Sequence, residues 1–198
     1  KSAFISPAFY SIDEFTEYIV SQKHSFGKIT DLDACFVVYT LLKDAASPIL
    51  KGRDKFSQFL SWAREIIGFI EELDLEKIES SALENIQEKA AIGYDVPESI
   101  NQLLKSMISL RAGYHRILRD NQVYSRGFIY HLASEYVKDL DFSEFDEVVF
   151  CDFYYPHKAE EEIINALCES KKARHILAQD TVNPEYNLKI LAGFDIHS

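Results

Sequence analysis

Few residues in this chain have both the type and the spacing that catalysis needs. Asp152 closes a short apolar run, Val148-Val-Phe-Cys151, and Phe153 follows it. An aspartate at the carboxyl end of a strand in a parallel sheet is where nucleotide-hydrolysing folds place their magnesium-organising carboxylate, with a neighbouring Glu to position the attacking water. A phenyl ring cannot polarise water. A site of that descent is expected to be inert, and no catalytic residue is assigned. Asp152, Glu169 and Lys171 have the residue types of a metal-dependent nuclease, but Glu169 and Lys171 fall at a helix end, where they cannot line a strand beside the aspartate. His157 and Glu161 have the i, i+4 spacing of a metal pair; with no third ligand they define no metal site. Gly27-Lys28 lacks what a phosphate-binding loop requires, since Gln22 stands where the first glycine belongs and Ile29 replaces the hydroxyl that would hold magnesium. This segment reads as a loop. No Gly-x-Ser-x-Gly elbow occurs, and Cys35, Cys151 and Cys168 form no Cys-x-x-Cys pair, so all three are expected to be reduced core thiols.

Charge is the other chemical signal. The 198 residues carry 21 Lys+Arg against 32 Asp+Glu, a formal net charge of -11, which counts against tight nucleic-acid binding by this chain alone. The distribution is uneven. Residues 61–100 hold ten acidic side chains against three basic ones, net -7, whereas residues 101–126 hold Lys105, Arg111, Arg116, Arg119 and Arg126 against Asp120, net +4. At about 100° per residue, Lys105, Arg116 and Arg119 fall on one side of a helix whose other side carries Leu103, Met107, Leu110, Tyr114 and Ile117. Such a stripe is most often a solvated face answering the acidic helices before it; the functional reading is contact with phosphates, to which Arg126 would add.

Elements must hold these residues in place. With 47% hydrophobic residues, only 7 Gly and 5 Pro, the chain calls for long regular elements around a sizeable core. No apolar run approaches the roughly 18 residues of a membrane span, and no basic-then-apolar leader opens the chain, so a cytoplasmic setting is expected. The chain begins at Lys1 rather than Met and is expected to be a piece of something longer. Ser11-Ile-Asp-Glu14 has the form of a capping box opening a helix to about Ser21, after a strand end around Phe4-Ile5. Thr30 or Asp31 caps a second helix to about Ala45. Phe56, Phe59, Leu60, Ala63, Ile66, Ile67, Ile70 and Leu73 recur at three- and four-residue intervals and predict the clearest amphipathic helix. Weaker helical patterning spans 75–92, and strong patterning returns over 100–118 and 124–140. The period then changes. Residues 148–151 suit a strand buried on both faces, 158–170 a helix led by Glu160, Glu161 and Glu162, and 176–178 a second buried strand, which together make a βαβ unit and imply a parallel sheet.

With these elements in place, the chain resembles the helicase-like half of an AddB-type subunit of the bacterial AddAB (RecBCD-like) helicase-nucleases. Pro7-Ala-Phe-Tyr-Ser-Ile-Asp-Glu-Phe15 resembles the segment that opens a helix after an early strand of the first motor domain. Residues 31–121 are similar to its helical insertion, domain 1B, and Tyr130-His-Leu-Ala-Ser-Glu135 resembles the return into the motor. Asp146-Glu-Val-Val-Phe-Cys-Asp-Phe-Tyr-Tyr-Pro156 with Glu160-Glu-Glu-Ile-Ile164 looks like the motif II strand and helix of the UvrD-like superfamily. Of that motif's Asp-Glu-x-Gln-Asp only Asp152 is kept, with Phe153 in the place of Glu. Ala173-Arg-His-Ile-Leu-Ala-Gln-Asp180 resembles the motif III strand, whose Gly-Asp-x-x-Gln becomes Gln179-Asp180 with Asn183 at its last place.

The resemblance implies a strongly helix-dominated α/β fold: a partial RecA-like (P-loop NTPase-like) parallel sheet from residues 1–30 and 122–198, 1A-like, carrying the all-helical 1B-like insertion over 31–121. It implies an inactivated motor half that guides DNA and scaffolds an ATP-dependent exonuclease complex in recombinational double-strand break repair. Lys105, Arg116, Arg119 and Arg126 would face DNA, bound weakly in isolation, and a helicase-nuclease subunit would be the partner. ATP, magnesium and an iron-sulfur cluster would belong elsewhere in the complex, with no cofactor or metal held here. Two alternatives stand beside it: a helical protein-interaction adaptor, and a metal-dependent hydrolase using Asp152, His157 and Glu161.

Overall fold

The structure is a computed structural model describing residues 7–83 and 98–176, with side chains from 105 onward in the second stretch. The first helix, α1 (Ile12–Ser21), opens as its sequence dictates. The Glu14 amide donates to Ser11 Oγ at 3.2 Å and the Ser11 amide donates to Glu14 Oε2 at 2.7 Å, which holds the Glu14 carboxyl below its usual range. Thr30 caps α2 (Asp31–Asp44) by accepting from the Asp33 amide at 3.2 Å. A 3-10 turn at Pro48–Leu50 leads into α3 (Phe56–Leu75), whose Phe59, Ala63, Ile66, Ile70 and Leu73 are buried in one stripe, as their spacing predicts. Beyond it come α4 (Glu98–Asp120) and α5 (Arg126–Tyr136), then α6 (Lys158–Glu169). The helix expected over 124–140 is shorter than its pattern, because a second 3-10 turn at Val137–Asp139 tightens its end.

Four short strands accompany the helices. Gly27–Lys28 is not a loop but a two-residue strand, β1, parallel to β2 (Val123–Tyr124), with Gly27 opposite Val123 and Lys28 opposite Tyr124. The chain therefore leaves and returns side by side, and the described residues between the two strands are helices and turns. The second sheet pairs β3 (Val148–Cys151) with β4 (Ala173–Ile176), again in parallel, and α6 crosses between them. That is the expected βαβ unit, with β4 beginning three residues earlier than predicted; Leu177 and Ala178 lie outside the described residues, as do Phe4 and Ile5. One expectation is corrected. Only Phe150 of β3 is buried, while Val149 is 42% exposed and Cys151 is also exposed, so among the described residues the strand is covered on one face. Cys151 is thus no core thiol; Cys35 is buried and Cys168 partly so.

α3 and α5 pack at the centre, with α2 against α3, α4 against α2, and α1 and α6 against α5. One hydrophobic cluster runs through all of them, from Phe15 to Ala173, so the helical stretch shares its core with the flanking α/β elements. The fold is helix-dominated α/β with two small parallel sheets. No helix of the described residues is long and apolar enough to cross a membrane.

Candidate functional site

Asp152 lies at the carboxyl end of β3, where its amide donates to the Ile176 carbonyl at 2.9 Å and extends the ladder by one bond. Its φ of 63° turns the chain sharply out of the strand, a conformation that Asp tolerates better than most residues. The Asp152 side chain is exposed, with the Tyr154 hydroxyl 3.5 Å from Oδ1. Phe153 turns the other way. It is half-buried, edge-on to Phe150 at 5.9 Å between ring centres and to His175 of β4 at 6.4 Å. Burial lowers the pKa of His175. An apolar wedge thus fills the ground between the two strand ends, beside an aspartate facing solvent.

The metal-pair geometry does not form. His157 opens α6, where its amide donates to Glu160 Oε2 at 2.8 Å and its Nδ1 lies 2.7 Å from Glu76 Oε1 at the end of α3. Glu161 is bonded to Lys158 instead, at 2.8 Å. Among the described residues there is no group of three or more metal-ligating side chains. Gln179, Asp180 and Asn183 lie outside the described residues.

Of the basic residues singled out, Lys105, Arg116 and Arg119 are exposed on α4 and Arg126 on the first turn of α5. Lys105 and Arg116 are eleven residues apart, about 16 Å along the helix axis. Arg119 lies over the Phe128 ring at 5.5 Å and Arg126 over Tyr130 at 5.2 Å, so α5 carries both guanidinium planes on aromatic faces. Arg126 Nε is also 3.4 Å from Asp13 Oδ1, which accepts the Tyr130 hydroxyl as well. Part of its charge is therefore answered within the chain.

Sequence reasoning missed a buried ionic cluster. Arg111, counted among the basic stretch, is 7% exposed and meets the fully buried Asp74 carboxylate, Nη2 to Oδ1 at 2.6 Å and Nε to Oδ1 at 2.8 Å. His115 Nε2 takes the other oxygen at 2.8 Å and its ring lies tilted by 34° against Phe128, 4.8 Å between ring centres. His131 is next, 6.2 Å from His115, with Nδ1 buried and unpartnered among the described residues and Nε2 3.3 Å from Glu135. The signal that could have found it is the pairing of helical faces 37 residues apart, which net charge by stretch conceals.

The cluster has a pH consequence. Burial lowers the His131 pKa, opposed by Glu135 and Asp74 and reinforced by His115 and Lys77. The unfolded chain takes up a proton near its ordinary value of about 6.5 while the folded ring stays neutral, so the unfolded state binds more protons below that pH. Stability contributed by this residue is present above about pH 6.5 and is lost as pH falls through the folded value. Urea midpoints measured from pH 7.5 down to 5 are expected to fall, and His131→Gln is expected to flatten the decline; equal slopes for the two proteins would contradict it.

No protein-family model matches the chain, and no curated protein matches it.

Proposed function

We propose that this chain is a non-hydrolysing, helicase-like module that guides DNA within a cytoplasmic helicase-nuclease complex for recombinational double-strand break repair. The observation that carries the reading is the β3–α6–β4 crossover with Asp152 at the strand end and Phe153 wedged beside it. The reading takes this crossover as a nucleotide-hydrolysing strand end in which a ring that packs inward has replaced the water-positioning carboxylate. Binding would then fall to the cations of α4 and α5. ATP, magnesium and an iron-sulfur cluster would be supplied elsewhere in the complex, together with a partner helicase-nuclease subunit.

The test is fluorescence anisotropy with a labelled single-stranded oligonucleotide and a duplex with free ends. Weak binding is expected, with log K falling against log salt at a slope near -3 if all four cations meet phosphates, roughly 0.7 for each. Replacing Lys105, Arg116, Arg119 or Arg126 by Gln should each reduce the slope by about 0.7. Indifference to DNA at low salt would sink the reading. It would favour a helical adaptor instead, a role that the exposed Phe36, Trp62 and Phe69 of α2 and α3 also support.

A further inference from the structure

α3 carries two rows of side chains set one residue apart. The inner row, Ala63, Ile66, Ile70 and Leu73, is buried in the core. The outer row starts one residue earlier and repeats the same steps of three and four, as Trp62, Glu65, Phe69 and Glu72, each of them exposed. Those steps keep successive side chains adjacent on one flank of a helix, so the row is continuous over about 15 Å. It is also the spacing with which one helix packs on another.

The apolar half of the row is two large rings two turns apart, Trp62 at 47% exposed and Phe69 at 42%. Arg53 lies over the Trp62 ring at 4.5 Å and steadies it at the surface. Gly68 sits beside Glu65 and Glu72 on the same flank, and a Cβ built on it meets nothing within 4 Å, so the backbone there is open to close approach.

The carboxylates define the chemistry of what fits. Glu65 and Glu72 enter no ion pair among the described residues, whereas Glu76, one turn further on, is taken by His157 at 2.7 Å. Because rings and carboxylates alternate along the row, a partner must offer apolar groups and cations in the same alternation. A helix with aliphatic residues at steps of three and four and Lys or Arg beside them does so. Phosphate-bearing ligands do not fit. Two unanswered carboxylates, in a 61–100 stretch of net -7, repel nucleic acid and anionic membranes alike.

We propose that the outer flank of α3 docks a basic amphipathic helix of a partner protein, with the Trp62 and Phe69 rings against its aliphatic residues and Glu65 and Glu72 against its cations. The proposal uses none of the α4 and α5 cations and stands apart from the DNA reading.

The test is a titration of the isotope-labelled full chain, followed by amide chemical shifts, with a synthetic Leu/Lys peptide of about 18 residues whose leucines recur at steps of three and four. A control peptide has the same composition in an order that leaves no apolar face. The patterned peptide is expected to shift Trp62, Glu65, Gly68, Phe69 and Glu72 saturably, and the control to shift none of them. All four side chains of the row are exposed, so their replacement leaves the core alone. Trp62→Ala with Phe69→Ala should weaken binding roughly tenfold, and Glu65→Gln with Glu72→Gln should weaken it several-fold and flatten its salt dependence. Glu144→Gln with Asp146→Asn removes two exposed carboxylates elsewhere and should leave binding unchanged. Absence of saturable shifts, largest shifts away from the row, equal binding of the control peptide, undiminished binding by either row variant, or an equal loss from the Glu144 and Asp146 exchange overturns the proposal.

Discussion

Arg111→Met is expected to lower stability by about 3–5 kcal/mol, measured as the change in urea unfolding free energy. The size follows from what the guanidinium does. It faces a carboxylate with no solvent exposure, and the same group donates from Nη1 to the Ile78 carbonyl at 2.5 Å and from Nη2 to the Leu73 carbonyl at 3.4 Å. Those carbonyls belong to the last turn of α3 and the residues just after it, where a helix leaves acceptors unsatisfied and carries partial negative charge. Arg111 thus ties α4 to the end of α3. Met keeps most of the side-chain volume but leaves Asp74 with His115 alone. A buried pair is not itself strongly stabilising, so Asp74→Leu combined with Arg111→Met should recover much of the loss. The double-mutant cycle separates the two effects. A single-mutant cost below about 1 kcal/mol, the range of a surface pair, would mean that water reaches Asp74.

The contrast between Arg111 and its neighbours shows what a sequence conveys. Local rules were legible: the Ser11–Glu14 capping box, the Thr30 cap and the α3 stripe each depend on residues a few positions apart, and each forms as expected. The β3–α6–β4 order was legible from a change of period. Helix ends were legible to within a residue where they were expected at about Ser21, Ala45 and 170, against Ser21, Asp44 and Glu169 in the structure, although the geometry of the stops was not. α2, α3 and α6 all close through left-handed residues that are not glycine, Ala46 (φ 47°), Lys77 (φ 49°) and Lys171 (φ 58°). In each the amide of the next residue reaches back five positions, as from Ile78 to the Leu73 carbonyl at 2.8 Å. The usual glycine signal is missing at all three, so the left-handed closure itself is not marked in the letters. The strands β1 and β2, two residues each, are too short to have a period. Val149 and Cys151 misled because an apolar letter does not reveal which face of a strand is covered.

Gly127→Ala is expected to destabilise the fold by about 1–3 kcal/mol, although alanine is the better helix former by roughly 1 kcal/mol. A Cβ on Gly127 would stand 2.7 Å from Glu71 Cα, 2.9 Å from the Glu71 carbonyl oxygen and 3.0 Å from Asp74 Cβ. Two of those three atoms are backbone, so no rotamer change can make room, and α5 must lift away from α3. That movement would loosen the Glu71 carboxylate from the α5 amides and shift Phe128 and Tyr130, both fully buried, out of the central layer. Gly68 supplies the control. It sits inside α3 with nothing within 4 Å of a built Cβ, and Gly68→Ala should stabilise by about 0.5–1 kcal/mol through backbone entropy. The same chemical change at two helical glycines is therefore expected to move the urea midpoint in opposite directions. Propensity alone would raise both, so a gain in stability for Gly127→Ala would show that α5 does not rest on α3 at this point.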